Sequence, residues 1–455
     1  MAEADTFVAD RNWRERLTAY VGSRDSLFAA FAIVIIPNLV FFLISPWFLI
    51  RRMLSPGIYL IAAILALVLP WGLTPIIFFL ASALDVFFVV AFLFDMPIGD
   101  SIESLMYVSD IDVAASALYV SGIVYFVALP LILSVVFIKY RDRLRRASML
   151  PALLLALGAC WFDHTVNGFK PIAYPEFESA MSQNGLTSEA IIARDRDLLF
   201  VLVEGMGAYR HPEERAILEQ RLRKAAEGRF TMKTGTSNYF GSTTGGTARE
   251  LCGEWHTYTY YLAEDRLYDC LPQRLATAGY QTSSYHASYG ALFSRPTWYP
   301  RIGIQKLNFR EDIERENPSA IHGLCGSVFT GLCDADVGRL VHEDLRKDPG
   351  KRKLMYWLTL NTHQPHAPVV DGKLDCRGDH PVIPALLPCE LTELWSEVFD
   401  VVAAIAADPT LPPLDIVVVG DHNTPMWLRK DFNHFINGKV DWYYLEDSRK
   451  AAASN

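Results

Sequence analysis

Apolar residues are spread unevenly along this chain. They form long uninterrupted runs over residues 26–162 and short, punctuated runs over 163–455. The run 26–50 is long enough for one membrane-spanning helix, which needs about 20 residues. The run 57–94 is too long for one helix, and Pro70-Trp71-Gly72 with Pro75 predicts two spans joined by a tight turn. The run 113–138 predicts a fourth span. Residues 148–162 predict a fifth and shortest, rising only ~22 Å at ~1.5 Å per residue. Asp85 is the one charge inside 57–94. An ionisable group at membrane depth defaults to a functional role, though a polar contact between helices explains it equally.

Beyond residue 162 the pattern changes. Continuous apolar runs at 198–203, 280–285, 354–360 and 416–419 each end in a polar loop. Helical patterns lie between them at 213–226, 271–278, 337–345 and 391–407. Buried runs alternating with helices predict an α/β domain with a mostly parallel sheet. In such sheets a ligand lies outside the carboxyl ends of the strands. The chain is therefore expected to consist of a membrane helical bundle of about five spans, residues 1–162, and an α/β domain, residues 163–455.

Charge fixes the expected orientation. Arg11, Arg14, Arg16 and Arg24 precede the first run, and Lys139, Arg141, Arg143, Arg145 and Arg146 follow the fourth. The loop 95–112 holds five acids and no Lys or Arg. Positive-inside logic puts the N-terminus and 139–146 in the cytoplasm, and five spans then deliver 163–455 to the far side. Arg51 and Arg52 run against that assignment. A net charge of −9 with no basic stripe gives no sign of a nucleic-acid partner, and none is expected. Six of the seven cysteines lie past residue 250, an even number that suits disulfides in an oxidising compartment. Their pairing is open from sequence. Joining neighbours, Cys252–Cys270, Cys325–Cys333 and Cys376–Cys389, closes the shortest loops and is the expected set.

The strand ends collect Glu204, His286, His363, Asp421 and His422. Carboxylates with imidazoles suit one divalent ion such as Zn²⁺ or Mn²⁺. The Gly/Thr-rich stretch 241–248 opens onto a helix expected near Ala248. A hydroxyl there would sit among free N–H groups at a positive helix end. Thr243, Thr244 and Thr247 are all candidates for that nucleophile.

Four motifs in order then form a resemblance: Val203-Glu204-Gly205-Met206-Gly207, Thr247-Ala248, Asn361-Thr362-His363-Gln364-Pro365 and Gly420-Asp421-His422. Together they resemble the sulfatase-like membrane phosphotransferases of the alkaline phosphatase superfamily, the lipoteichoic acid synthases and lipid A phosphoethanolamine transferases. The resemblance implies Glu204, Thr247, Asp421 and His422 as metal ligands and Thr247 as nucleophile. It also implies His363 as a proton-transfer group and His286, Arg295 and His434 as substrate-phosphate contacts. Ser288 and Phe293 depart from the glycerolphosphate synthases, which carry an acid and a tryptophan there. The implied enzyme is a monomer in a bacterial inner membrane with its catalytic domain in the periplasm. It would take a phospholipid donor bearing phosphoethanolamine or phosphoglycerol and an envelope lipid or glycan acceptor. Three alternatives stand beside it. One is a sulfatase, since Cys270-Leu271-Pro272-Gln273-Arg274 fits the formylglycine pattern. The others are a phosphodiesterase using water and a membrane protein without catalysis.

Overall fold

A computed structural model describes residues 18–93, 98–104, 112–168, 173–369 and 372–449. The chain divides into two compact units, Met1–Leu93 with Ala117–Ile172, and Phe94–Ser116 with Ala173–Asn455.

The first unit contains helices at each of the five apolar runs: α1 (Arg24–Ile44), α2 (Ser55–Val68), α3 (Trp71–Leu93), α4 (Ala117–Lys139) and α5 (Leu150–Asn167). Among the described residues only α1, α3 and α4 are long and apolar enough to cross a membrane, so three of the five expected spans are met. Pro37 sits at the start of the regular part of α1, directly after a π turn at Phe31–Ile35. That wider turn accommodates a residue with no N–H to donate. The Pro70-Trp71-Gly72 break falls where expected, between α2 and α3.

The basic segment after α4 has a local structural role. Arg141 donates to the carbonyls of Ala66, Leu67 and Leu69 at 2.7, 3.0 and 2.5 Å, and Arg145 donates twice to Leu67. These guanidinium groups satisfy the free carbonyls and the negative end of α2. Arg52 is only 4% exposed and pairs with Asp85 of α3. Ser55 and Tyr59 donate hydroxyls to the same carboxylate, and the Arg52 guanidinium lies 3.6 Å from the centre of the Phe41 ring. Asp85 is thus a polar contact between helices, and Arg52 is a neutralised charge rather than a topological signal.

In the second unit the strands are β1 (Asp197–Val203), β2 (Gly207–Tyr209), β3 (Phe230–Asn238), β4 (Gln281–His286), β5 (Lys306–Asn308), β6 (Leu324–Cys325), β7 (Gly331–Leu332), β8 (Lys353–Leu358), β9 (Leu414–Gly420) and β10 (Phe435–Asp447). Eight form one sheet in the order β2-β10-β9-β1-β8-β4-β5, with β3 also on β10. The run β9-β1-β8-β4-β5 is parallel, and β10 joins it antiparallel. The sheet is therefore mixed but mostly parallel.

Every residue of β1, β8 and β9 is buried, because helices cover both faces. Leu199, Val201 and Val203 pack with α6 (Pro212–Ala226), α9 (Asp334–Arg346) and α10 (Leu386–Ala407). The alternate residues Leu198, Phe200 and Leu202 pack with α7 (Thr243–Leu251) and α8 (Leu271–Thr277). The period-2 pleat thus divides one continuous apolar run between two cores.

All three disulfides join neighbours: Cys252–Cys270, Cys325–Cys333 and Cys376–Cys389. Cys270 is consequently a disulfide partner with no free thiol to oxidise to formylglycine. That removes the basis of the sulfatase alternative.

Candidate active site

The four central parallel strands β9, β1, β8 and β4 end on one edge, and each delivers chemistry there. Glu204 follows β1, Asp421 and His422 follow β9, His363 lies five residues past β8, and His286 closes β4. The backbone holds Glu204 tightly. Its N–H donates to Thr359 Oγ1 at 2.9 Å, and its carbonyl accepts from Thr362 Oγ1 at 2.6 Å and Trp395 Nε1 at 3.3 Å. Gly205 has φ +67° and donates to Asp421 Oδ1 at 2.8 Å. A Cβ there would lie 2.4 Å from Thr424 Oγ1, so both backbone and space require glycine.

Glu204, Asp421 and His422 each offer a ligand atom within 4.8 Å of the others, and all three are buried. His422 Nε2 lies 3.2 Å from Glu204 Oε1 and 3.3 Å from Asp421 Oδ2. Asp421 Oδ2 nonetheless has no hydrogen-bond partner among the described residues. Burial raises the Asp421 pKa and the charge of Glu204 raises it further. Burial acts the same way on Glu204, but His363, His422 and the Thr243 hydroxyl outweigh it and hold that carboxyl low. His422 is raised, because its two carboxylates overcome burial. Two buried acids facing one imidazole are the donor set a divalent cation would satisfy.

The histidines share one arrangement. Nδ1 meets a backbone carbonyl in each: Asn423 O at 3.0 Å for His422, Gln364 O at 2.6 Å for His363 and Leu358 O at 3.0 Å for His286. A carbonyl can only accept, so Nδ1 carries the proton and Nε2 is left free in the neutral ring. Nε2 of His363 lies 3.7 Å from Glu204 Oε1. Nε2 of His286 is buried and unpartnered among the described residues, as is Nε of Arg295. Burial, then the charge of Arg295, pushes His286 down to about 3.

The start of the threonine-bearing helix differs from expectation. The helix begins at Thr243, five residues before the expected start. It is Thr243 Oγ1 that donates to Glu204, at 3.0 and 3.2 Å to the two carboxylate oxygens. Thr247 lies one turn further in, its hydroxyl bonded to the Thr243 carbonyl at 3.1 Å and Tyr356 OH at 2.8 Å. Gly245 and Gly246, read as loop residues, are helical, and close packing explains them. A Cβ on Gly246 would lie 2.9 Å from Asp421 Cα and Cβ, and one on Gly245 2.7 Å from Phe240 O. Helix α7 can approach the Asp421 turn this closely only without those side chains.

His434 also falls elsewhere. It precedes β10, whose pairing with β2 carries it to the start of α6, where Nδ1 bonds Glu214 Oε1 at 2.6 Å. Sequence reasoning passed over Arg249, which is fully buried and donates to Gly420 O at 2.7 Å and Asp421 O at 3.0 Å. An Arg-Glu pair inside a helix gave no local sign that it would clamp a strand end.

No family model matches the chain, and no curated protein does. Similar solved structures do exist. A lipoteichoic acid synthase of Listeria monocytogenes (LtaP) is 13% identical, over 55% of this chain and 65% of that one, at a TM-score of 0.39. The zinc complex of the C-terminal periplasmic domain of EptC from Escherichia coli is 18% identical, over 56% and 73%, at 0.36. A phosphoglycerol transferase of Streptococcus pyogenes (GacH) with sn-glycerol-1-phosphate is 15% identical, over 60% and 75%, at 0.36. The match spans less than two thirds of the Listeria synthase's own length.

Proposed function

We propose that residues 163–455 form a periplasmic catalytic domain, anchored in a bacterial inner membrane by residues 1–162. It would move a phosphate-bearing headgroup from a phospholipid to an envelope lipid or glycan, with Thr243 as the nucleophile. The observation that carries this reading is the Thr243–Glu204 hydrogen bond at a helix N-terminus, beside buried polar atoms without partners among the described residues. A Zn²⁺ or Mn²⁺ ion held by Glu204, Asp421, His422 and Thr243 would lower the hydroxyl pKa and draw in an anionic donor. His286 Nε2 and Arg295 are the groups left to hold the donor's phosphate.

Thr243 Oγ bonds to phosphorus as the bond to the diacylglycerol oxygen breaks. Its proton is taken up by His363 Nε2 and returned to the departing diacylglycerol oxygen. An acceptor hydroxyl then attacks the phosphothreonine, giving its proton to His363, and the P–Oγ bond breaks with reprotonation of Thr243. The donor headgroup is phosphoethanolamine or phosphoglycerol. A phosphodiesterase would run the same steps with water as acceptor.

The test is diacylglycerol release by the full chain in detergent, supplied with phosphatidylethanolamine or phosphatidylglycerol and either metal. Release that needs metal and vanishes in Thr243→Ala supports the reading. Equal release from Thr243→Ala overturns it. Release without transfer to any added glycan or lipid acceptor would favour the phosphodiesterase.

A further inference from the structure

A second group of metal-compatible side chains lies away from the strand-end cluster, on His211, Glu214 and His434. Two segments more than 200 residues apart build it. β2 pairs antiparallel with the start of β10, Tyr209 opposite Phe435. His211, two residues past β2, therefore meets His434, one residue before β10. Arg210 locks the junction: its N–H donates to His434 O at 2.8 Å, and its guanidinium to Asn433 O at 3.1 Å and Phe435 O at 3.0 Å. His211 is also the N-cap of α6, which places Glu214 in the first helical turn beneath it.

The three residues each present one ligand atom within 4.8 Å of the others. His434 Nδ1 and Glu214 Oε1 are 2.6 Å apart, and the two imidazole rings cross with centres 5.7 Å apart. Glu214 is 6% exposed, and its second oxygen, Oε2, has no partner among the described residues. A buried carboxylate oxygen left unsatisfied carries a desolvation cost that a bound cation would remove. The His211 side chain is 43% exposed, so the group opens to solvent on one side.

We propose that His211, Glu214 and His434 bind a second divalent transition metal, with Zn²⁺ as the fitting ion. Two imidazoles and one carboxylate, with solvent at a fourth position, are a nitrogen-rich set that selects Zn²⁺ over the hard, oxygen-preferring Mg²⁺ or Ca²⁺. Metal–nitrogen bonds of ~2.0–2.1 Å need donor atoms roughly 3.3 Å apart. The exposed His211 ring is free to supply that closure by side-chain rotation. The ion takes the place of the proton between His434 and Glu214 and ties the start of α6 to the start of β10.

The test is metal content and cobalt spectroscopy of the full chain in detergent, stripped with chelator and reloaded with Zn²⁺ or Co²⁺ alone. Wild type is expected to hold two ions, His211→Ala and Glu214→Gln one, and Glu204→Gln one. The visible Co²⁺ band of a nitrogen-rich site should persist in Glu204→Gln and vanish in His211→Ala. Two ions in His211→Ala, or only one in wild type and that one insensitive to His211→Ala, would overturn the proposal. A Glu204→Gln protein that still holds two ions would instead contradict the active-site reading and leave this one standing. His211 lies at the surface, so its removal tests binding without risking the fold.

Discussion

Two buried charge clusters in this chain are built on opposite rules. In the membrane unit, Asp85 is 0% exposed and receives hydrogen bonds from Arg52, Ser55 and Tyr59. Its oxygens are satisfied by groups of the same unit. At the strand ends, Glu204 and Asp421 are also buried, yet two acids share one imidazole, and Asp421 Oδ2, His286 Nε2 and Arg295 Nε lack partners among the described residues. A satisfied buried network fixes how helices pack. An unsatisfied one costs stability and persists where a ligand completes it. Burial and charge alone would mark both clusters as functional. The tally of unmet hydrogen bonds separates them.

The largest expected effect is on catalysis. Thr243→Ala should lower transfer by roughly a thousandfold or more, as loss of a covalent nucleophile does. Thr247→Ala should leave transfer within a few-fold of wild type, read as diacylglycerol release.

Breaking the satisfied cluster comes next. Asp85→Asn should destabilise the membrane unit by about 3–5 kcal/mol, because Arg52 is left buried with its countercharge gone. The double change Arg52→Met with Asp85→Leu should recover most of that loss in detergent unfolding. The same chemical change at the other cluster should act with the opposite sign. Asp421→Asn should stabilise the metal-stripped protein, since it removes a buried acid whose pKa burial and Glu204 both raise. A raised acid binds its proton more tightly in the fold. Wild-type apoprotein should therefore lose stability as pH rises through that raised value, and Asp421→Asn should flatten the loss.

A smaller effect belongs to His286. Its ring is held neutral in the fold, down to about 3, against about 6.5 unfolded. The contribution is present above about 6.5 and fades as pH falls toward 3. His286→Gln should remove that slope from the acid limb of the melting-temperature profile.

Much of this was legible in the sequence, for identifiable reasons. β1, β8 and β9 are largely apolar runs because both faces are covered, and these three and the more polar β4 each lie within about two residues of their expected places. The neighbouring cysteine pairs formed as short loops favour. Glu204, Asp421 and His422 follow strands, so one periodicity located them all. The helix at Thr243 was hidden because Gly245 and Gly246 disfavour helix locally, and only their approach to Phe240 and Asp421 explains them. The proposal of Thr243 in place of Thr247 as nucleophile rests on that single boundary. β10 and β3 were missed since their partly exposed, polar-rich sequences lack a continuous apolar signal, and with β10 went the position of His434.

The central claim is that Thr243 takes the phosphoryl group. The direct measurement is peptide mapping by mass spectrometry of the full chain, quenched in acid after incubation with phosphatidylethanolamine or phosphatidylglycerol and metal. A headgroup-phosphate adduct on Thr243 is expected in the wild type and in Thr247→Ala. An adduct on Thr247, or one that survives Thr243→Ala, would contradict it.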